Sequence, residues 1–206
     1  MYKLNTARRV LVAGVIALAF SVTAAPAQQS GRIRGEIVKA DGAMLLVKTR
    51  DGAMLKVKVA DDARIASLVK ASLADIKNDS FIGVAGMPQA DGHIQAFSVH
   101  IFLPAQRGKV PDRHGAWDAR SGSTMTNAYV ESVVKRKDSE TFTVKYKGGE
   151  KKIVVTSRTV IAAVAKGDKS ELKAGKHVII FASQKQLDGS LLAKVMYFGR
   201  DVAPEM

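Results

Sequence analysis

Apolar and polar residues alternate with a period of two through most of the chain, and turn residues cut the alternation into short runs. Ile33, Gly35 and Ile37 are interleaved with Arg34 and Glu36. Leu55, Val57 and Val59 fall on one face, Met54, Lys56 and Lys58 on the other. This period is that of a half-buried strand. Asp41-Gly42 and Asp51-Gly52 are hairpin signals, so residues 33–39, 44–49 and 54–60 are predicted to form a three-strand meander. Residues 61–71 have no clear pattern and read as irregular. Ser72 and Asp75 have capping-box spacing, which predicts a short helical turn with Leu73 and Ile76 facing the core. Two further strands are expected over 81–86 and 93–102, joined at Asp91-Gly92, with Ile94, Ala96 and Val99 inward.

The plan then repeats. Residues 72–102 return as residues 168–198: Ile76-Lys77 aligns with Leu172-Lys173, Phe81-Ile82 with His177-Val178, and Asp91-Gly92 with Asp188-Gly189. Asp168 and Glu171 stand where Ser72 and Asp75 stand, so both copies keep a capping acceptor and an acid. The second copy supplies strands over 128–134, 141–147, 151–156, 177–183 and 190–198, with turns at Asp138-Ser139, Gly148-Gly149 and Asp188-Gly189. Three strands, a helical turn and two strands is the element order of an OB-fold. The expected fold is therefore mainly β: two tandem small OB-like β-barrels from an internal duplication, over residues 31–103 and 127–200. A single β-sandwich is the alternative.

Residues 104–126 join the two units. Pro104, Gly108, Pro111, Gly115 and Gly122 mark them as a linker, yet they carry the chain's one tryptophan, Trp117, together with Arg107 and His114. Trp117 is expected to pack in a groove between the units and fix their angle. The alternative is a ligand contact made by Trp117 with Arg107 and His114. Residues 201–206 are a short polar tail.

The repeated motifs, Ser72-Leu73-Ala74-Asp75-Ile76-Lys77 with Asp91-Gly92 and Ala96, and Lys169-Ser170-Glu171-Leu172-Lys173-Ala174-Gly175 with Asp188-Gly189 and Ala193, resemble a bacterial domain family of unknown function found in exported proteins. The resemblance covers almost all of residues 31–200. The duplicated layout is similar to an alphaproteobacterial form sometimes named a metal-transporter permease. It implies a small barrel of OB type and no activity assignable residue by residue. Asn78-Asp79 stands where the family pattern has glycine, and both residue types tolerate a left-handed backbone.

Composition changes the picture at the N-terminus and in the charge. Lys3, Arg8 and Arg9 precede an unbroken apolar run over residues 10–20, and Ala25-Pro26-Ala27 precedes polar Gln28. Residues 1–27 therefore read as a secretory signal peptide, cleaved before Gln28, with a periplasmic or secreted destination; Arg8-Arg9 leaves Sec and twin-arginine export both open. The chain has no cysteine, which excludes disulfides, thiolate metal sites and cysteine nucleophiles. Net charge is +13, and +10 without the leader, a surplus that favours anionic partners. No later segment has the length and apolarity to span a bilayer.

Candidate chemistry is sparse. His93, His100, His114 and His177 lack metal-ligand spacing; His114 with Asp118 comes nearest. Gly83 and Gly86 are strand glycines without a phosphate-loop helix, and no serine lies in a recognisable triad motif. No catalytic residue, metal site or cofactor is predicted. The informative residues are lysines: Lys48, Lys56 and Lys58 on strands two and three of the first unit, and Lys145, Lys147, Lys151 and Lys152 at matching places in the second. Those strands carry the face that OB-folds use for ligands. Only Tyr146 is near enough in sequence to stack on bases, which argues against specific nucleic-acid recognition. The expected function is a non-enzymatic binding or envelope-structural module, partnered by an anionic envelope component or a protein. A periplasmic metal-handling accessory and an enzyme with an unrecognised site are the alternatives.

Overall fold

The computed structural model describes residues 32–204 apart from Asp138, whose turn position, like the predicted leader over 1–27 and its predicted cleavage site, lies outside the described residues. The chain is mainly β. Twelve strands join in one continuous sheet, and among the described residues the only helical segments are single 3-10 turns.

The first meander forms as the alternation predicts: β1 (Ile33–Asp41), β2 (Met44–Thr49) and β3 (Met54–Lys70), with Gly42 and Gly52 at positive φ in the two turns. β4 (Phe81–Pro88) and β5 (Ile94–Ile101) follow. The second unit supplies β7 (Thr124–Lys135), β8 (Ser139–Tyr146), β9 (Gly149–Thr156), β11 (His177–Lys185) and β12 (Leu191–Gly199). Two strands fall where no strand is predicted: β6 (Arg113–Ala116) inside the linker and β10 (Val160–Lys166) after the second meander. Residues 61–70, expected to be irregular, continue β3. Their polarity hides the strand, because Asp61, Asp62 and Arg64 face solvent.

The barrels are not contiguous in sequence. The boundaries 31–103 and 127–200 delimit the repeats, but each ring takes one half from each repeat. β1, β2 and β3 close into a five-strand barrel with β11 and β12: β1 pairs antiparallel with β11, and β3 pairs parallel with β12. The complementary set, β4, β5, β7, β8 and β9, forms a second ring, in which β4 pairs antiparallel with β7 and a short parallel contact of β5 with β9 completes the circuit.

The length of β3 explains the exchange. Seventeen residues of strand span about 55 Å, which carries the chain out of the first ring and sets the next turn down on the second. There Ile76 is buried in a core with Ile82, Val84, Phe142 and Ile153. β10 makes the return journey, and Leu172 is buried in the first ring among Ile37, Val47, Val57 and Phe198. Each repeat's 3-10 turn thus plugs the ring begun by the other. Both turns form as expected: the Asp75 carboxylate accepts from Ser72 N (2.8 Å), and Glu171 Oε1 accepts from Asp168 N (3.1 Å). Asp79, at the position lacking glycine, adopts φ 64°.

A third apolar cluster fuses the rings. β10 lies between them, antiparallel to β3 and parallel to β5. Ala162 and Val164 of β10 pack with Leu68, Phe97, Ile179 and Tyr197. Phe97 reaches this cluster because a bulge opposite Ala85 and Gly86 shifts the register of β5. Ile94 and Ala96 face the second ring before the bulge, Val99 after it. The bulge also needs small residues: a Cβ at Gly86 would stand 2.7 Å from the Gln95 carbonyl oxygen.

Candidate functional site

The linker closes over the seam between the rings and creates a cavity there. Its path is fixed by several polar ties. Gln106, in the 3-10 turn Pro104–Gln106, donates from Nε2 to the Tyr197 hydroxyl (2.8 Å). Asn127 donates from Nδ2 to the Pro111 carbonyl (3.0 Å). β6 then runs antiparallel along β7, with Arg113 opposite Asn127 and Gly115 opposite Met125. Beyond it, Ser123 Oγ donates to the Trp117 carbonyl (3.0 Å), and Trp117 N donates to the Ser123 carbonyl (2.8 Å).

Trp117 and Asp118 anchor the linker on the start of β1. The Arg32 guanidinium lies 3.9 Å above the indole centroid and that of Arg34 at 5.3 Å, a cation–π arrangement. Both arginines also reach the Asp118 carboxylate, at 3.1 Å from Arg32 Nε and 2.6 Å from Arg34 Nη2. Burial raises the Asp118 pKa, but the hydrogen bonds and charges of Arg34 and Arg32 outweigh it and hold the carboxyl below its ordinary value. Trp117 itself is 8% exposed. It packs in the apolar cluster between the two rings.

The cavity beneath has a volume of about 590 Å³, within the roughly 300–1,000 Å³ of small-molecule sites. Its walls come from both rings. Ile65 of β3, Phe181 of β11, and Val195 and Tyr197 of β12 face Met125 and Asn127 of β7, with Phe102 and Trp117 between. The edge-on rings of Phe181 and Tyr197, 5.0 Å apart, stiffen one side. Five cationic side chains line the space, Arg32, Arg64, Lys109, Arg113 and Lys166, and no carboxylate does. Asp118 answers the charge of Arg32. Among the described residues, Arg64, Lys109, Arg113 and Lys166 have no ion-pair partner, and all four are exposed at the edge of the apolar walls. Tyr197 has its pKa raised by burial, against the Gln106 hydrogen bond and the positive charge of Arg64. Trp117 Nε1 is buried and lacks a hydrogen-bond partner among the described residues.

The other two linker candidates are elsewhere. His114 alternates with Arg113 and Gly115 along β6, so it projects from the opposite face. Its Nδ1 lies 2.8 Å from Thr126 Oγ1, and its ring lies 5.8 Å from that of Tyr146. Partial burial, helped by the charge of Lys151, lowers its pKa. Arg107 Nη1 bonds Asp79 Oδ2 at 2.9 Å, and the guanidinium sits 5.4 Å from the Tyr129 ring. Arg107 therefore braces the left-handed turn at Asp79. Trp117, Arg107 and His114 do not converge on one point.

The seven lysines do not form one face either. Lys56 and Lys58 lie on the outside of the first ring, opposite Leu46 and Met44, and Lys48 shares that exposed surface. In the second ring Lys145 is paired with Glu131 and lies opposite Glu150, so its charge is answered. Lys147 and Lys152 are exposed, whereas Lys151 alternates with Lys152 onto the ring's inner side, beside buried Ile153. The sequence missed Arg64, Lys109 and Lys166, which line the cavity together with Trp117. The one available signal was the basic, acid-free run of residues 105–111 beside a lone tryptophan.

Among the described residues no three His, Asp or Glu side chains gather as a metal site requires, and no helix is long and apolar enough to cross a membrane. No protein-family model matches the chain, and no curated protein or solved structure matches it.

Proposed function

We propose that the protein is an exported, non-enzymatic binding module for anionic envelope components, with its ligand site in the cavity between two rings of OB type. The strand connectivity supports the OB reading. In each ring three consecutive meander strands are completed by a two-strand hairpin, antiparallel to the first strand and parallel to the third. The observation that carries the binding reading is the cavity lining: four cations that make no ion-pair contact among the described residues line an apolar space, with Asp168 acting on Lys166 from a distance. Cations in such a setting raise the local concentration of anions. The leader-like N-terminus and the basic surplus support an envelope destination.

Lys48, Lys56 and Lys58 carry a second, weaker basic surface on the first ring. Binding of the wild-type protein to immobilised heparin, measured at low and at physiological salt, tests the reading against two variants. Reversal of Arg64 and Lys166 to glutamate is expected to weaken binding several-fold and to flatten its salt dependence. Reversal of Lys56 and Lys58 is expected to have the smaller effect. If the wild type does not bind at physiological salt, or if only the Lys56/Lys58 variant loses binding, the cavity is not a polyanion site.

A further inference from the structure

The lining of the cavity is divided in a way that a hydrophilic polyanion does not need. Ile65, Phe102, Met125, Phe181 and Val195 offer no hydrogen-bonding side-chain atoms. A sugar pressed against them would leave its hydroxyls without partners, a costly arrangement. A hydrocarbon chain would bury favourably on the same surface. The charge is segregated at the edge, where Arg64, Lys109, Arg113 and Lys166 are exposed. Apolar walls and a cationic edge together describe the complement of a molecule with one aliphatic tail and one anionic head.

We propose that the cavity between the rings binds a single-chain acyl carboxylate, with the tail along Ile65, Met125, Phe181 and Val195 and the head among Arg64, Arg113 and Lys166. This rests on the anion-binding reading above and narrows it to a ligand class. The carboxylate is the committed head group, because the four cations come from four separate elements and are not gathered on one strand. Arg64 lies on β3, Lys109 in the linker, Arg113 on β6 and Lys166 on β10.

Trp117 makes the test local. It is the chain's one tryptophan and it lines the cavity, so its fluorescence reports occupancy of this site. The full chain without its leader is titrated with laurate, myristate and palmitate below their micelle concentrations. Saturable change at one equivalent is expected. Affinity should rise about fourfold for each added methylene until the cavity is filled. Hexadecanol, with the tail and no charge, should bind at least about tenfold more weakly than palmitate. Ala165→Phe, which fills the space from β10, should abolish the change. Arg113→Glu should weaken it with unaltered thermal unfolding, since Arg113 is exposed and has no ion pair among the described residues. That variant keeps the test decisive if Ala165→Phe does not fold.

Heparin binding measured alongside separates the two levels. If heparin binds and palmitate leaves Trp117 unchanged, the acyl assignment falls and the anion-binding reading stands. If neither binds, both fall; if palmitate binds and heparin does not, the acyl assignment stands and binding of polyanions falls. Affinity independent of chain length, or equal binding of hexadecanol, overturns the assignment. Tighter binding of palmitoyl lysophosphatidic acid than of palmitate overturns the choice of a carboxylate head.

Discussion

His100 is the side chain whose burial has the clearest measurable consequence. It lies on β5 with 1% of its surface exposed. Its strand neighbours, Gly83 on β4 and Ala162 on β10, carry no charge. Its Nδ1 has no hydrogen-bond partner among the described residues. Desolvation pushes its pKa down to about 4 from the ordinary 6.5, because the imidazolium form would have to be buried without compensation. The unfolded chain therefore binds a proton below pH 6.5 that the folded chain refuses until about pH 4. Stability from this group is complete above pH 6.5 and is lost as the pH falls from 6.5 to 4, by about 3 kcal/mol. Chemical denaturation across that range should show this loss in the wild type, and His100→Leu should remove most of it. His114, whose pKa is also lowered by partial burial, contributes to the slope in the same range and remains in the variant, and carboxylates lowered by local hydrogen bonds, such as Asp75 and Asp188, act at lower pH. An unchanged slope in His100→Leu would mean that the imidazole is protonated in the folded state.

Among the elements, those carried by a strong local code were legible in the sequence. Turns at Asp-Gly pairs, the capping acids at Asp75 and Glu171, and the inward faces of the meanders all follow from the chemistry of a few adjacent residues. β6, β10 and the second half of β3 were not legible. β6 is held by pairing with β7, and three of its four residues are exposed. The end of β3 changes faces: Ile65 packs on the first ring's core while Ala66 and Leu68 join the cluster between the rings. No fixed period survives that change. The cavity was invisible for the same reason, since its cations come from four separate elements. The 3-10 turns give a direct test of the exchange. Ile76 and Leu172 plug different rings, so Ile76→Ala and Leu172→Ala should each destabilise the fold by about 2–5 kcal/mol. The two costs should add nearly fully in the double variant. Urea unfolding of the three variants gives these values. Losses under about 1 kcal/mol would mean that the plugs are not part of the cores.

For the whole molecule, the duplication defines two sequence units without defining two separable bodies. The residues before the linker supply β1 to β5 and those after Gly108 supply β6 to β12. Six strand pairings cross that point: β1 with β11, β3 with β12 and with β10, β4 with β7, and β5 with β9 and with β10. All three apolar clusters also contain residues from both sides. Tandem barrels joined by a cut linker would drift apart as two folded domains. Here, separation would open both rings and expose every core, so the fragments should remain one particle. A protease site placed at Gly108, an exposed turn residue with φ 70°, allows the cut to be made after folding. The nicked protein is expected to elute in native gel filtration with the intact chain and to separate into two bands only in denaturant. Its unfolding should become concentration-dependent, because unfolding and dissociation are then one event. Two independently folded fragments in native buffer would instead return each ring to a single repeat and remove the shared seam on which the cavity depends.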